Sequence, residues 1–379
     1  MPAETSFRNA RIVLADEIVD GSLLVRDGAI AGIDHGGAAS GEDMDGDYLI
    51  PGLVELHTDH LEGHFSPRPG VRWNALAAVQ AHDAQIATSA ITTVFDCLRL
   101  GSDENEGFVR GEMRVLADAI ELASDEGRLR AEHFIHLRCE VSTPDVLHAL
   151  EDFHHEGRVK LASLMDHAPG QRQFQTMEQY TLYYKIKRGL TDDAFAVFVA
   201  KRQDQSARYS APHRKAIAEH CRAHGITLAS HDDATLDHVG EAIEDGVRLA
   251  EFPTSVEAAR ASHDAGLSVL MGAPNIVRGG SHSGNIAARD LAEAGILDVL
   301  SSDYVPSSLL HGVFKLAEDV DAIKLPDALR LVTENPARTV GLDDRGSIAP
   351  GKRADLVRVR WQGGVPVVRG VWRQGVRVA

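Results

Sequence analysis

Eight short apolar runs, each stopping at polar residues, constrain the fold of this chain more than any other feature. They are LVELHTD (53–59), ITTVFDC (91–97), FIHLRCE (134–140), VKLASLMDH (159–167), ITLASHDD (226–233), LAEFPT (249–254), LSVLMGAPN (267–275) and ILDVLSSD (296–303). Amphipathic stretches such as ALAAVQAHDAQIATSA, EMRVLADAIELASDEG and SVEAARASHDAG lie between most of them. Near-continuous apolar strands alternating with helices build a parallel sheet that is buried on both faces. Eight such units over about 290 residues fit an α/β fold of the (β/α)8 TIM-like barrel type better than an open sheet. A doubly wound sheet is the competitor, but no G-x-G-x-x-G turn follows the first run. A chain of 379 residues that is 44% hydrophobic supplies the large core such a fold needs.

The two ends read differently. ARIVLAD, GSLLVRDG and AIAGID are short strands, with Asp27-Gly28 as a hairpin signal, and GGAASGEDMDGD is a polar loop. At the other end ADLVRVRW, VPVVRG and VWRQGVRVA alternate apolar and polar residues between glycines. The expected organisation is a small β-sandwich domain from residues 1–50 and 343–379, around a barrel over 51–342. Residues 171–222, rich in Gln, Arg and Tyr, break the rhythm after the fourth strand and read as a helical insertion.

In a barrel of this kind the chemistry sits where strands end and βα loops begin. The ends here supply His57 and Asp59, Asp96, Glu140, Asp166 and His167, His231 to Asp233, Glu251, and Asp303; the seventh run closes instead on GAPN and a Gly-rich loop. Residues i and i+2 of a strand face the same side, so His57 and Asp59 can hold one cation. Each unpaired buried carboxylate would cost several kcal/mol, and a cation placed among them removes that cost. Mixed His and carboxylate donors suit Zn²⁺, Mn²⁺ or Fe²⁺ better than Ca²⁺ or Mg²⁺. His60 falls on the other side of the strand and reads as a rim or structural residue.

The net charge of −17 argues against nucleic-acid or anionic-membrane partners, so an anionic substrate must meet a local cluster of cations. VRGGSHSGN (277–285) offers one: Arg278, two glycines with approachable N–H groups, Ser281, His282, Ser283 and Asn285, expected to lead into a helix. Arg172 in PGQRQF and Arg68 in SPRPG are further candidates, since arginine grips phosphate oxygens bidentately. Lys185, Lys187 and Arg188 in the insertion either close over a substrate or form a solvated helix face. Asp232 and Asp233 either orient His231 or cap the next helix. Three widely spaced cysteines make no disulfide framework; Cys97 and Cys139 read as small core residues. With no signal peptide and no membrane-spanning run, a cytoplasmic protein is expected. No stripe identifies an interface, although a homodimer is a common state for such barrels.

H-x-D after a PGLVELHTD run, a His after the fifth strand, an Asp after the eighth and a closing GSIAPGKRADLV resemble the amidohydrolase superfamily. Within it, HLRCE, SLMDHAPGQRQF, ASHDDAT, AEFPT, VLMGAPNIVRGGSHSGN, LSSDY and VWRQGVR resemble the family of ribose 1-methylphosphonate 5-triphosphate diphosphatases of the carbon–phosphorus lyase pathway. Asp59 stands where the superfamily usually has the second His of H-x-H, and His60 stands where this family would carry Asn. The resemblance implies a metal-dependent hydrolase that releases pyrophosphate from a phosphorylated ribose, leaving the 5-phosphate. It implies two divalent ions: His57, Asp59 and Asp303 on one, His167 and His231 on the other, with Glu140 bridging. Asp303 would take the proton of the attacking water. The usual second imidazole of the superfamily comes from the sixth strand, where this chain offers Glu251. His167 is therefore also read as a phosphate contact or as support behind a ligand, and Glu251 as a salt bridge at the core rim. Two other functions stay open: hydrolysis of an amide, cyclic amide or aminopyrimidine on the same scaffold, and a non-catalytic component of the phosphonate machinery.

Overall fold

The structure, a computed structural model, describes residues 4–37, 40–101, 111–154, 156–172, 181, 185, 191–280 and 285–379. The N-terminal strands are β1 (Glu4–Val13), β2 (Ile18–Arg26), β3 (Ala29–Asp34), β4 (Glu42–Asp43) and β5 (Tyr48–Pro51). Eight strands follow at the sites of the apolar runs: β6 (Leu53–Thr58), β7 (Ile91–Leu100), β8 (Glu132–Glu140), β9 (Val159–Met165), β10 (Thr227–His231), β11 (Leu249–Glu251), β12 (Ser268–Gly272) and β13 (Val299–Ser301). The C-terminal strands are β14 (Leu356–Gln362), β15 (Val365–Arg373) and β16 (Val376–Arg377).

Strands β6 to β13 form one sheet in sequence order, and the pairs β6–β7, β8–β9, β9–β10, β10–β11 and β11–β12 are parallel. A parallel bridge between Thr58 and Asp303 brings the end of β6 to the end of β13, the closure expected of a (β/α)8 barrel. The intervening helices start where the side chains dictate. Asn74 caps the helix Ala75–Thr88 by accepting from the Ala77 amide, and Ser255 caps Val256–Asp264 through the Ala258 amide. In the region of the expected insertion, a 33-residue helix, Asp192–His224, runs from a Thr191 cap to Gly225. Among the described residues no helix is long and apolar enough to cross a membrane.

Both termini build a single mixed sheet of order β16-β15-β14-β5-β1-β2-β3, with β4 paired to β1. Asp27 and Gly28 turn β2 into β3 with φ of 51° and 79°, the left-handed pair that a two-residue hairpin requires. Phe7, Ile12, Leu23, Ile30, Leu49, Leu356 and Trp372 pack into its core, and the Phe7 and Trp372 rings meet edge-on at 4.9 Å. Asp47 is buried and accepts from Arg358 Nε at 2.6 Å and Arg360 Nε at 2.7 Å. The C-terminal strands are thereby tied to the N-terminal ones by charge as well as by ladder.

The chain divides into two compact units. Residues Met1–Asp96, Ala119–Phe134 and Met271–Ala379 make the first, which holds the terminal sheet, β6 and β13. Cys97–Asp118 and Ile135–Leu270 make the second, which holds β9, β10, β11 and the long helix.

Candidate metal centre

In the first unit, His57, Asp59 and Asp303 are gathered by the backbone. The Asp303 amide donates to the His57 carbonyl at 3.1 Å, and the Asp59 amide donates to the Asp303 carbonyl at 3.3 Å. Asp303 sits at φ 54°, a left-handed conformation that costs a non-glycine residue energy and commonly marks a functional position. The alternation argument applied to His57 and Asp59 reaches only to Thr58, because β6 ends there. Asp59 instead stands at the N-cap position of the short helix His60–Phe65, without a side-chain capping bond, and its place beside Asp303 comes from the closing backbone pairs.

Glu55, which the sequence reading passed over, holds this arrangement from behind. It is fully buried; its Oε1 accepts from the His57 amide at 2.7 Å and its Oε2 from the Ser302 amide at 2.6 Å. One carboxylate thus ties the residue carrying one expected ligand to the residue before another. Burial pushes Glu55 up to about 8, against the pull of those two amides. The signal in the sequence was a lone Glu inside the apolar run LVELH, two residues before the His.

In the second unit, β8 ends at Glu140, in register with Met165 at the end of β9, so His167 follows directly alongside. Glu140 is fully buried. It accepts from His167 Nδ1 at 2.6 Å, the His167 amide at 3.0 Å and Ser142 Oγ at 2.7 Å. Arg99 Nη2 stands 3.4 Å away and Arg202 Nη2 3.5 Å. Burial alone would raise the Glu140 carboxyl, but His167 and the two arginines hold it well below the usual range. His167 is raised in turn: burial opposes its charge, and Glu140 and Asp232 outweigh burial. His231, the last residue of β10, pairs in register with Glu251, and its Nδ1 lies 2.8 Å from Asp232 Oδ2. Asp232 therefore orients that imidazole, while the cap of the next helix is Thr235. The ligand atoms of His167, His231 and Asp232 all lie within 4.8 Å of one another, a donor set that fits a divalent transition ion.

A family model, the amidohydrolase family, matches residues 48–378. The chain belongs to the amidohydrolase family. It is 48% identical to the alpha-D-ribose 1-methylphosphonate 5-triphosphate diphosphatase of Escherichia coli (strain K12), over 98% of this chain and 99% of that protein. It is 25% identical to an imidazolonepropionase of Deinococcus deserti, over 100% of this chain and 96% of that one. Among solved structures, a Xaa-Pro dipeptidase superposes with a TM-score of 0.67 at 15% identity, covering 99% of each chain. N-acetyl-D-glucosamine-6-phosphate deacetylase from Mycobacterium smegmatis superposes with a TM-score of 0.65 at 16% identity, again over 99% of each. As an amidohydrolase the protein is a hydrolase with side-chain groups able to hold a metal ion.

The other expected site residues of this amidohydrolase separate into several kinds. Asp96 is not at a strand end: β7 continues to Leu100, and Asp96 is enclosed by His82 Nε2 and His133 Nδ1, each at 2.7 Å. Asp166 accepts from Ser206 Oγ at 2.8 Å and Ser210 Oγ at 2.6 Å, so it docks the long helix. Arg172 is buried and ion-paired with Asp233, and its Nη2 lies 2.7 Å from Glu241. Glu251 is buried, with His136 Nε2 at 3.9 Å, and burial raises its carboxyl. Arg278 ends the helix Ala273–Arg278 and is exposed, as is Arg68. Asn285 is half-buried, whereas Ser281 and His282 lie outside the described residues. Lys185 is ion-paired with Asp192, and Lys187 and Arg188 also lie outside the described residues. Cys97 and Cys139 are buried thiols, and Cys97 Sγ lies 3.6 Å from His136 Nδ1.

Proposed function

We propose that the protein hydrolyses alpha-D-ribose 1-methylphosphonate 5-triphosphate to the 5-phosphate and pyrophosphate, in phosphonate catabolism. The observation that carries this reading is the 48% identity to the Escherichia coli diphosphatase across nearly the full length of both chains. The backbone-gathered group of His57, Asp59 and Asp303 and the buried group of Glu140, His167 and His231 support it as well. The first group would hold one divalent ion and the two imidazoles of the second another, with Glu140 as the carboxylate beside His167 and Asp232 steadying His231. Zinc, manganese and iron are the ions that such mixed donors favour. A bound divalent ion lowers the pKa of the water it holds toward 7 and offsets the charge of a polyphosphate.

Asp303 is the general base: its carboxylate takes the proton as water oxygen bonds to the α-phosphorus. The bond from that phosphorus to the oxygen bridging it to the β-phosphorus breaks, and pyrophosphate leaves. The closing pairs to β6 fix Asp303 for this transfer, and Glu55 holds those pairs from behind. Arg278, Arg68, Asn285, Ser281 and His282 would receive the phosphates, locally offsetting a net charge of −17. Arg172 would join them only by leaving Asp233 and Glu241. The enzyme works in the cytoplasm on this small phosphorylated sugar, and a homodimer is the assembly we expect.

Phosphorus NMR of the protein with a ribose 5-triphosphate or a nucleoside triphosphate tests the proposal. Pyrophosphate as the first product supports attack at the α-phosphorus. Orthophosphate release, or no turnover after reconstitution with zinc, manganese or iron, would overturn it.

A further inference from the structure

Three imidazoles converge a short way from the barrel closure, in a place the proposed reaction does not use. His60 and His64 lie one turn apart on the helix His60–Phe65, so their side chains share a face. His82 and Gln85 lie three residues apart on the facing helix Ala75–Thr88. The ring centres of His60 and His64 are 5.1 Å apart, those of His64 and His82 5.8 Å, and those of His60 and His82 5.9 Å. Zinc–nitrogen bonds of about 2.0 Å place the ring centres of three imidazoles sharing one ion roughly 5–6 Å apart. The triangle already has the size of a tri-imidazole coordination sphere.

Two of the ring nitrogens are also available. His82 is fully buried, and its Nε2 is turned to Asp96 Oδ1 at 2.7 Å. That is the carboxylate–histidine pairing which fixes a ligating ring and presents its other nitrogen as a lone pair. Among the described residues, that other nitrogen, His82 Nδ1, and His64 Nε2 are buried with no hydrogen-bond partner. Asp96 is itself pinned by His133 Nδ1 at 2.7 Å. Gln85 Oε1 lies 2.9 Å from His60 Nε2 and offers an oxygen for a fourth position. His60 and His64 are half-buried, which leaves the cluster a path to solvent. Burial, followed by the neighbouring imidazoles, lowers His64, and burial lowers His82; both rings are then neutral and able to ligate near pH 7.

We propose that His60, His64 and His82, with the Gln85 amide oxygen completing the set, form a zinc site separate from the catalytic ions. Orphaned buried imidazole nitrogens cost folding free energy, and an ion shared among the rings satisfies both of them. Bound there, it clips the first two barrel helices together beside the strand that carries His57.

The test is zinc stoichiometry in the full-length protein, chelated and then titrated with Zn²⁺ by calorimetry, with metal content checked after dialysis. The native protein should take up one equivalent more than His64→Gln, and one more than the double variant His60→Asn/His64→Gln. Both substitutions fall on half-buried positions, and near-UV circular dichroism verifies that the variants are folded. A Co²⁺ titration should lose one set of visible d–d bands in the same variants. His57→Ala, by contrast, should keep the extra equivalent, so failure of the catalytic metal reading is read separately from failure of this one. Equal zinc uptake and identical Co²⁺ spectra in the native protein and both variants would overturn the site.

Discussion

Asp96 and Glu140 look alike in the sequence, each a carboxylate at the tail of an apolar run. In the folded chain Asp96 lies four residues before the end of its strand and Glu140 is the last residue of its own. Both are fully buried and both are held by imidazole at hydrogen-bond distance. Asp96 is closed in by two histidines, with Asp83 behind, which accepts from the Arg130 and Ala131 amides. Glu140 meets one histidine, a serine and two arginines, one of which keeps a side chain 21% exposed. The same carboxylate–imidazole chemistry therefore serves structure inside the strand and, in the function proposed above, metal binding at its mouth. What decides between them is depth along the barrel, which follows from where each strand stops.

The sharpest way to break that contrast is to remove one charge at each depth. Asp303→Asn at the mouth should cut kcat by about 10²- to 10⁴-fold, the usual worth of a general base. Its melting temperature should stay close to native, because the Asp303 backbone, not its charge, makes the closing pairs. A variant with native kcat would remove Asp303 from the reaction. Asp96→Asn in the interior should do the opposite. It leaves the buried His133 cation with only the longer contact to Asp83, at 3.3 Å, a loss of up to about 3–5 kcal/mol, measured by urea unfolding, while kcat per folded molecule stays near native.

The interior network also predicts a pH dependence. Burial opposes charge on His133, but Asp96 and Asp83 prevail and raise it to about 9 from an ordinary 6.5. A raised histidine stabilises the fold fully below 6.5, and that contribution fades as pH rises through about 9. The loss is at most about 3 kcal/mol. The melting temperature should therefore fall between pH 7 and 10, and His133→Gln should flatten that slope. An unchanged slope in the variant would place the sensitivity elsewhere.

The fold was legible because eight apolar runs with helical spacers have few solutions, and each run became a strand within a few residues of its expected limits. The placement of His57, His231 and Asp303 at or beside strand ends was legible because those ends are visible as a change from apolar to polar. Depth was not. ITTVFDC breaks its apolar pattern at Asp96, yet the strand runs on through Cys97, Leu98 and Arg99 because the His133 cation on β8 and the helix residue His82 satisfy that carboxylate. Glu55 was hidden for a related reason: its partners are two backbone amides, which have no letter of their own in a sequence. The cluster of His60, His64 and His82 needs the packing of one helix on another, and no local spacing announces that.

Glu55 offers an intermediate case, a buried carboxylate that acts at the mouth through the backbone. Glu55→Ala should leave two buried amides without acceptors, costing about 1–3 kcal/mol of stability. It should also weaken binding of the catalytic ion by roughly 10- to 100-fold, the usual range for losing a supporting contact behind a ligand. Thermal unfolding and metal titration read the two effects separately. Loss of stability with unchanged metal affinity would make Glu55 a purely structural residue like Asp96.

Arg278 differs from these buried carboxylates in being exposed, at the end of its helix and next in sequence to the Gly-rich loop. Its contribution should be the smallest, because a solvated guanidinium gives up water to meet phosphate. One charge-assisted contact is worth about 1.5 kcal/mol here, so Arg278→Ala should raise KM about tenfold with kcat nearly unchanged. That split separates uniform binding of the polyphosphate from help in the transition state. It should shrink as salt is raised, since screening weakens an exposed charge far more than a buried one. An unchanged KM at low salt would take Arg278 out of the phosphate site and leave that role to the remaining residues of the loop.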